Sequence, residues 1–366
     1  VTVRHLPTSP RGLAALPLVL FAAALGLLAL VPAFIQSPYA YHVMILIFLA
    51  VIQGEAWNVL GGYTGQYSVG HAAYFGMGAY VTMMLLQFKQ IAPWYGAWVA
   101  VAAAVALGLV IGAITFRLRG PYFVLASIAV AEIVRLITLN WKDVTNGAEG
   151  ILLSDIPPLK VGQTLITDFT SKVPFYYAGL GLAALTISAN YLVQHSKLGY
   201  YFQAIREDQD AAHSLGIPLT RYKNIALAIS SFFTAWSGAF YGLYVGFADP
   251  STVQTVEVSV QIVLICIIGG IGTILGPVVG ALVLVPLSEA LRANIISDGL
   301  FALGMSETSR VGMFLKEHLA HAHVLIYGVL VVVVILYMPD GVLGFARSVA
   351  RKRASRRAAA AAGEAS

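Results

Sequence analysis

Glu55, His71, Glu132 and Arg135 are ionisable side chains set inside apolar runs. Groups of this kind can carry protons, pair with a charged solute or lock helices together. A charge at the centre of a membrane helix costs about 2.5–3.5 kcal/mol on insertion scales, so each must face protein or water. Glu132 and Arg135 are three apart on one helix face and are expected to neutralise each other. Glu55 has no such neighbour, and a translocation path and helix packing are both open to it. Gln66, Ser68 and His71 lie among the glycines of GGYTGQYSVGHAAYFGMGAY (61–80), where they could touch the polar ends of a passing solute. A lone histidine there is more often a helix-packing donor. The aromatics of the stretch, Tyr63, Tyr67, Tyr74, Phe75 and Tyr80, are expected to anchor at the membrane interface. The sequence holds no HExxH, no GxSxG and no GxxxxGK[ST] nucleotide loop, which argues against an intramembrane enzyme and against ATP binding through that loop. The single Cys266 excludes a disulfide framework or a cysteine metal site.

A different chemistry is offered by 198–224, LGYYFQAIREDQDAAHSLGIPLTRYKN, the longest charged segment between apolar runs. Leu198, Tyr201, Phe202 and Ile205 have the spacing of one helix face. Acidic residues then gather where a second short helix would begin, as its positive dipole end favours. Gly216 can adopt the left-handed stop conformation, and Pro218 prevents the helix from resuming. The pattern predicts a short, firmly ended helix outside the membrane, shaped to be gripped by a partner.

The elements that must position these groups are membrane helices. The chain has 366 residues, 58% hydrophobic and 11% charged, against about 25% charged in an ordinary soluble domain. Apolar runs of about 20 residues fit spanning helices rather than barrel strands. About ten spans are expected: near 13–31 and 41–60, a third into which 61–80 runs and which ends near 88, then 95–116, 121–139, 175–193, 225–245, 258–271, 274–296 and 324–338. The first is read as a retained span, not a cleaved signal. These divide the chain into an N-terminal segment (1–12), a transmembrane domain (13–345) with an external loop (140–174) and a cytoplasmic segment (194–224), and a basic tail (346–366). The positive-inside rule puts Arg4, Arg11, Arg117, Arg119, Lys197, Arg206, Arg221, Lys223 and the tail in the cytoplasm, against Lys89, Lys142, Lys160, Lys172, Arg310 and Lys316 outside. Both termini are then cytoplasmic. GGYTG (61–65) and GGIGT (269–273) each interrupt an apolar pair, and two halves of five spans would be inverted relative to each other. Glycine-broken helices in inverted repeats flank the solute in many transporters, which puts Glu55, Gln66, Ser68, His71, Gly269 and Gly270 on a candidate path. Close packing of glycine-rich helices is the alternative.

DAAHSLGI (210–217) resembles the acid-Ala-Ala…Gly coupling motif of ATP-binding cassette importer permeases, and AIREDQDAAHSLGI is most similar to the branched-chain amino acid permeases of the LivM type. NVLGGYTGQYSVGHAAYFGMGAY, RGPYFVLASIAVAEI, GGIGTILGPVVGA and MPDGVLGF resemble further blocks of that family in the same order, from about 41 to 345. The departure is Asp210, where many permeases carry Glu. The resemblance implies an all-α polytopic subunit of a bacterial cytoplasmic-membrane importer. It would bind no cofactor itself, with ATP and Mg on two partner ATPase subunits. Its other partners would be a second permease, an extracytoplasmic solute-binding protein and membrane lipid, with no nucleic acid. Arg206, Glu207, Asp210, Ala211, Ala212, Ser214, Leu215 and Gly216 would meet the ATPase. The cargo would be branched-chain or other hydrophobic amino acids, with urea or short amides as the alternative. A self-sufficient ion-coupled transporter working through Glu55 or Glu132 is the rival of another class.

Overall fold

The structure is a computed structural model that describes residues 11–292, apart from 154–155, 158, 162–163 and 168–170, and a few later positions, chiefly 341–345. Its elements in order are α1 (Arg11–Phe34), α2 (Pro38–Asn58), α3 (His71–Lys89), α4 (Pro93–Thr115), α5 (Pro121–Asn140), the one-turn α6 (Lys142–Thr145), β1 (Ile151–Leu152), β2 (Leu159–Val161), β3 (Thr164–Thr167), α7 (Lys172–Gln194), α8 (Lys197–Glu207), α9 (Gln209–Ser214), α10 (Leu219–Val245), β4 (Phe247–Ala248), the one-turn α11 (Pro250–Val253), α12 (Val256–Gly269) and α13 (Leu275–Arg292). Proline opens α2, α4 and α5, where its missing N–H costs nothing.

Among the described residues five helical stretches are long and apolar enough to cross a membrane: Pro38–Tyr63, Pro93–Thr115, Pro121–Asn140, Leu219–Val245 and Pro250–Gly269. Val19–Phe34 and Leu275–Ala290 are shorter apolar helices. The expected span ending near 88 and the one at 175–193 are helices of 19 and 23 residues, α3 and α7. Most of the expected span at 324–338, the residues Arg310 and Lys316, and most of the basic tail lie outside the described residues. The chain is an all-α polytopic membrane protein. The expected loop at 140–174 carries small strands, of which β1 pairs antiparallel with β4 through Ile151 and Ala248. That pairing ties the loop to the end of α10 furthest from α8 and α9.

α2 and α10 form the middle of the bundle. α2 packs on α7, α13 and α12, and α10 packs on α3, α4 and α2. One apolar cluster joins Phe48 and Ile52 of α2 to Tyr176 of α7, Phe240 of α10 and Leu284 of α13. A second joins Tyr74, Val101, Phe116, Phe202 and Leu227. α3 and α10 cross on glycine. A Cβ on Gly78 would run into the Ala235 carbonyl, and one on Gly238 into the Phe75 carbonyl. Small residues at such a crossing let backbones touch where lipid offers no hydrophobic drive for association. Gly238→Val is therefore expected to destabilise the chain by about 1–3 kcal/mol, as overpacking does. Thermal unfolding in detergent would read this as a lowered midpoint.

Candidate functional site

α2 does not end cleanly. Its last residues pass into a π turn (Val59–Tyr63), and the chain then runs without helix to Gly70 before α3 begins. Irregular backbone at membrane depth must find partners for its polar groups inside the protein. Here side chains supply them. The indole N–H of Trp57 donates to the Ser68 carbonyl at 2.7 Å. The Val69 N–H donates to Ser127 Oγ of α5 at 2.9 Å, and the Ala72 N–H to Ser259 Oγ of α12 at 2.9 Å. His71, fully buried, lies 2.7 Å from Ser230 Oγ of α10. Ser230 is eleven residues into α10, so α3 starts about 16 Å up the bundle at about 1.5 Å per residue.

The candidate path residues are thereby placed. Gln66, Ser68 and His71 are buried and serve the broken backbone and helix packing. Gly269 lies against the backbone of Gly276 and Gly280 on α13. Gly270 ends α12 and touches Gly341. Glu55 is fully buried and accepts a hydrogen bond from the Asn190 amide of α7, which also donates to the Glu55 carbonyl at 2.8 Å. It braces α2 against α7. The interfacial role expected of Tyr63, Tyr74, Phe75 and Tyr80 is corrected, because all four are buried; Tyr67 alone of that group is exposed. Glu132 and Arg135 pair as expected, Arg135 Nε donating to Glu132 Oε2 at 2.9 Å.

The two glycine breaks meet at one end of the bundle. The buried Asn58 side chain donates to the Thr273 carbonyl at 3.0 Å and accepts from the Gly272 N–H at 2.8 Å. Arg206 of α8 lies across that junction. Its Nη1 donates to the Gly62 carbonyl at 2.7 Å, and its guanidinium occupies the space that a Cβ on Gly272 would need.

α8 and α9 have the expected form. Phe202 and Ile205 of α8 are buried beneath the bundle. Asp208 caps α9, accepting from the N–H groups of Asp210 and Ala211 at 2.8 and 3.0 Å. Gly216 (φ +83°) stops it, with the Ile217 N–H donating back to the Ala212 carbonyl. Placement departs from expectation at three residues. Ala212 is 2% exposed and packs inward, so it is not a free contact surface. Arg206, though exposed, turns its Nη1 onto the Gly62 carbonyl. Asp210 is met by Arg119 of the α4–α5 turn at 2.9 Å. Apart from Ala212 the expected contact residues, Arg206, Glu207, Asp210, Ala211, Ser214, Leu215 and Gly216, are all exposed, and Leu215, at 82%, is the most prominent apolar group there.

A family profile described as the permease component of the branched-chain amino acid transport system matches residues 37–335. The chain belongs to that family. A member is a transport permease component and not itself an enzyme. The permease is 29% identical to the high-affinity branched-chain amino acid transport system permease protein LivM of Escherichia coli, over 75% of this chain and 68% of that protein. It is 24% identical to LivH of the same organism, over 79% and 89%. The ribose import permease protein RbsC of Escherichia coli is 27% identical over 57% of this chain and 63% of its own length. No solved structure matches the permease.

Proposed function

We propose that this permease is the membrane subunit of an ATP-driven importer for branched-chain or other hydrophobic amino acids, and that α9 is where partner ATPase subunits take hold. The observation that carries the reading is the pairing of a capped, exposed α9 with Arg206, one turn before it, which reaches both helix breaks. The α8–α9 end is cytoplasmic on this reading, in keeping with its lysines and arginines. A solute-binding protein docks at the β1–β4 end. ATP and Mg sit on the ATPases, and closure of the ATPase pair moves α9 and, through Arg206, the broken helices between outward-open and inward-open states. The cargo follows the LivM and LivH relatives.

A second permease subunit completes the passage. Arg135 and Glu132 keep 23% and 37% of their side-chain surface open, about 16 Å in from the start of α5 at about 1.5 Å per residue. Such a pair cannot face lipid cheaply, so this face of α5, with Leu125 and Ile133, meets a partner or water. In a background lacking Cys266, Ile133→Cys should crosslink to the second permease subunit. Absence of that adduct in an assembled, active complex would remove α5 from the interface.

Proteoliposomes holding both permeases and the ATPases, with binding protein outside, should take up labelled leucine only with ATP inside, and excess urea should not compete. Uptake by the lone chain on a proton or sodium gradient would overturn the reading.

A further inference from the structure

Beside the root of α9 the chain has a pocket of about 510 Å³ at the α8–α9 end of the bundle. That lies inside the range of about 300–1,000 Å³ typical of small-ligand sites. Two turns of chain make it: the α4–α5 turn supplies Arg117 and Arg119, and the start of α10 supplies Arg221 and Lys223, with Gln209 and His213 of α9 at the edge. Four basic side chains converge there. Asp210 answers Arg119, and both of those side chains are largely exposed.

Lys223 is the telling residue. It is 2% exposed, its Nζ donates to Gln209 Oε1 at 2.8 Å, and it lies 5.9 Å from the centre of the Phe116 ring. Among the described residues it has no carboxylate partner, and neither do the exposed Arg117 and Arg221. A buried ammonium with only an amide oxygen and an aromatic face is poorly compensated. The pocket therefore gathers four basic side chains against the one carboxylate that answers Arg119, with space for an anion between them.

We infer that this pocket binds a phosphate group, held by Arg117, Arg221 and Lys223. The surroundings favour the headgroup of an anionic phospholipid as its source. The pocket lies where α4 ends and α5 and α10 begin, and the same stretch of chain exposes Ile114, Leu118 and Tyr122, apolar surface available to acyl chains. Basic pockets between helices at the cytoplasmic membrane surface are suited to such headgroups. The placement rests on the proposed cytoplasmic location of α9. A bound phosphate would pin the α4–α5 turn, which meets α9 through Arg119 and Asp210, to the base of α10, into which α9 leads, and so make coupling depend on acidic lipid.

The test uses the full chain, purified in detergent and titrated with dioleoylphosphatidylglycerol, dioleoylphosphatidylcholine or inorganic phosphate. Binding is read by native mass spectrometry and by thermal unfolding. Phosphatidylglycerol should be retained at least ten-fold over phosphatidylcholine and should raise the unfolding midpoint, as a ligand of the native state does. Arg117→Gln combined with Arg221→Gln alters only exposed side chains and should abolish both effects. Lys223→Met should fold at least as well as the wild type without lipid, since it removes a poorly paired charge, yet gain nothing from phosphatidylglycerol. Inorganic phosphate that binds and displaces the lipid would support the phosphate site and show that a soluble anion reaches it. Equal retention of the two lipids with no phosphate binding, or phosphatidylglycerol binding unchanged in the double variant, would overturn the inference. So would crosslinking of Arg221→Cys to an acidic segment of an ATPase subunit in the assembled complex, because a protein would then fill the pocket. Orientation is checked separately: Ser214→Cys should react with an impermeant maleimide only in inside-out vesicles. Failure there sinks the cytoplasmic placement without touching the binding result.

Discussion

Leu215→Asp is expected to abolish ATP-driven uptake while leaving the permease inserted and folded. The side chain is 82% exposed at the end of α9, so its replacement removes no internal packing. Burial of a leucine against a partner stabilises association by about 1.5–3 kcal/mol. Forcing a carboxylate into the same apolar contact adds a desolvation cost. Together these correspond to a loss of roughly two or more orders of magnitude in affinity for the ATPase, at about 1.4 kcal/mol per factor of ten. Co-purification of ATPase subunits with the tagged permease reads the loss directly, alongside membrane yield and thermal midpoint. Wild-type uptake in this variant would mean that α9 is not the handle. Ala212→Arg, by contrast, confounds docking with folding. Ala212 packs inward, so a long cation there would disrupt the seat of α9 whether or not an ATPase binds.

The outline of α9 was legible in the sequence because capping is local. Asp208, Gly216 and Pro218 act within four residues of the helix they bound, and pattern suffices to read them. Membrane class was legible for a similar reason, since composition reports it directly. What α9 connects to was not legible. Arg206 meets Gly62 across 144 positions, and nothing in the spacing distinguishes a guanidinium aimed outward at a partner from one turned inward onto a carbonyl. The helix breaks misled differently. Polar residues among glycines read as solute contacts, but in an apolar surround the broken backbone itself is the first claimant on every donor and acceptor. Ser127 and Ser259 play that part from two other helices while Ser230 holds the His71 ring, and a serine in an apolar run is too common to be noticed singly. Asn58 and Asn190 gave a stronger signal. A primary amide deep in a membrane run needs donors and acceptors together, and each does join two distant elements.

Arg206→Gln is expected to separate two steps that Leu215→Asp destroys together. The variant should keep its grip on the ATPase, because the exposed Leu215 end of α9 is untouched and the Arg206 guanidinium bonds the permease's own turn at Gly62. It should lose at least ten-fold in uptake while ATP hydrolysis in the assembled complex continues, no longer raised by loaded binding protein. A hydrogen bond to a charged group contributes about 1.5–3 kcal/mol. Glutamine is also too short to span from α8 to Gly62 and Gly272 together, so movement of α9 would no longer be passed to the turns that end α2 and α12. Gly272→Ala offers an independent route to the same outcome. Its new Cβ would occupy the guanidinium's place, at a backbone angle (φ +76°) that alanine adopts reluctantly. If both variants hydrolyse ATP without transporting, the junction of the two breaks is the transmission point. If both transport normally, α9 must act on the bundle through its other neighbours, the buried Phe202 and Ile205 of α8 and the Arg119–Asp210 pair. An exposed pair of that kind contributes at most about 1 kcal/mol, so the apolar contact would then have to carry the stroke.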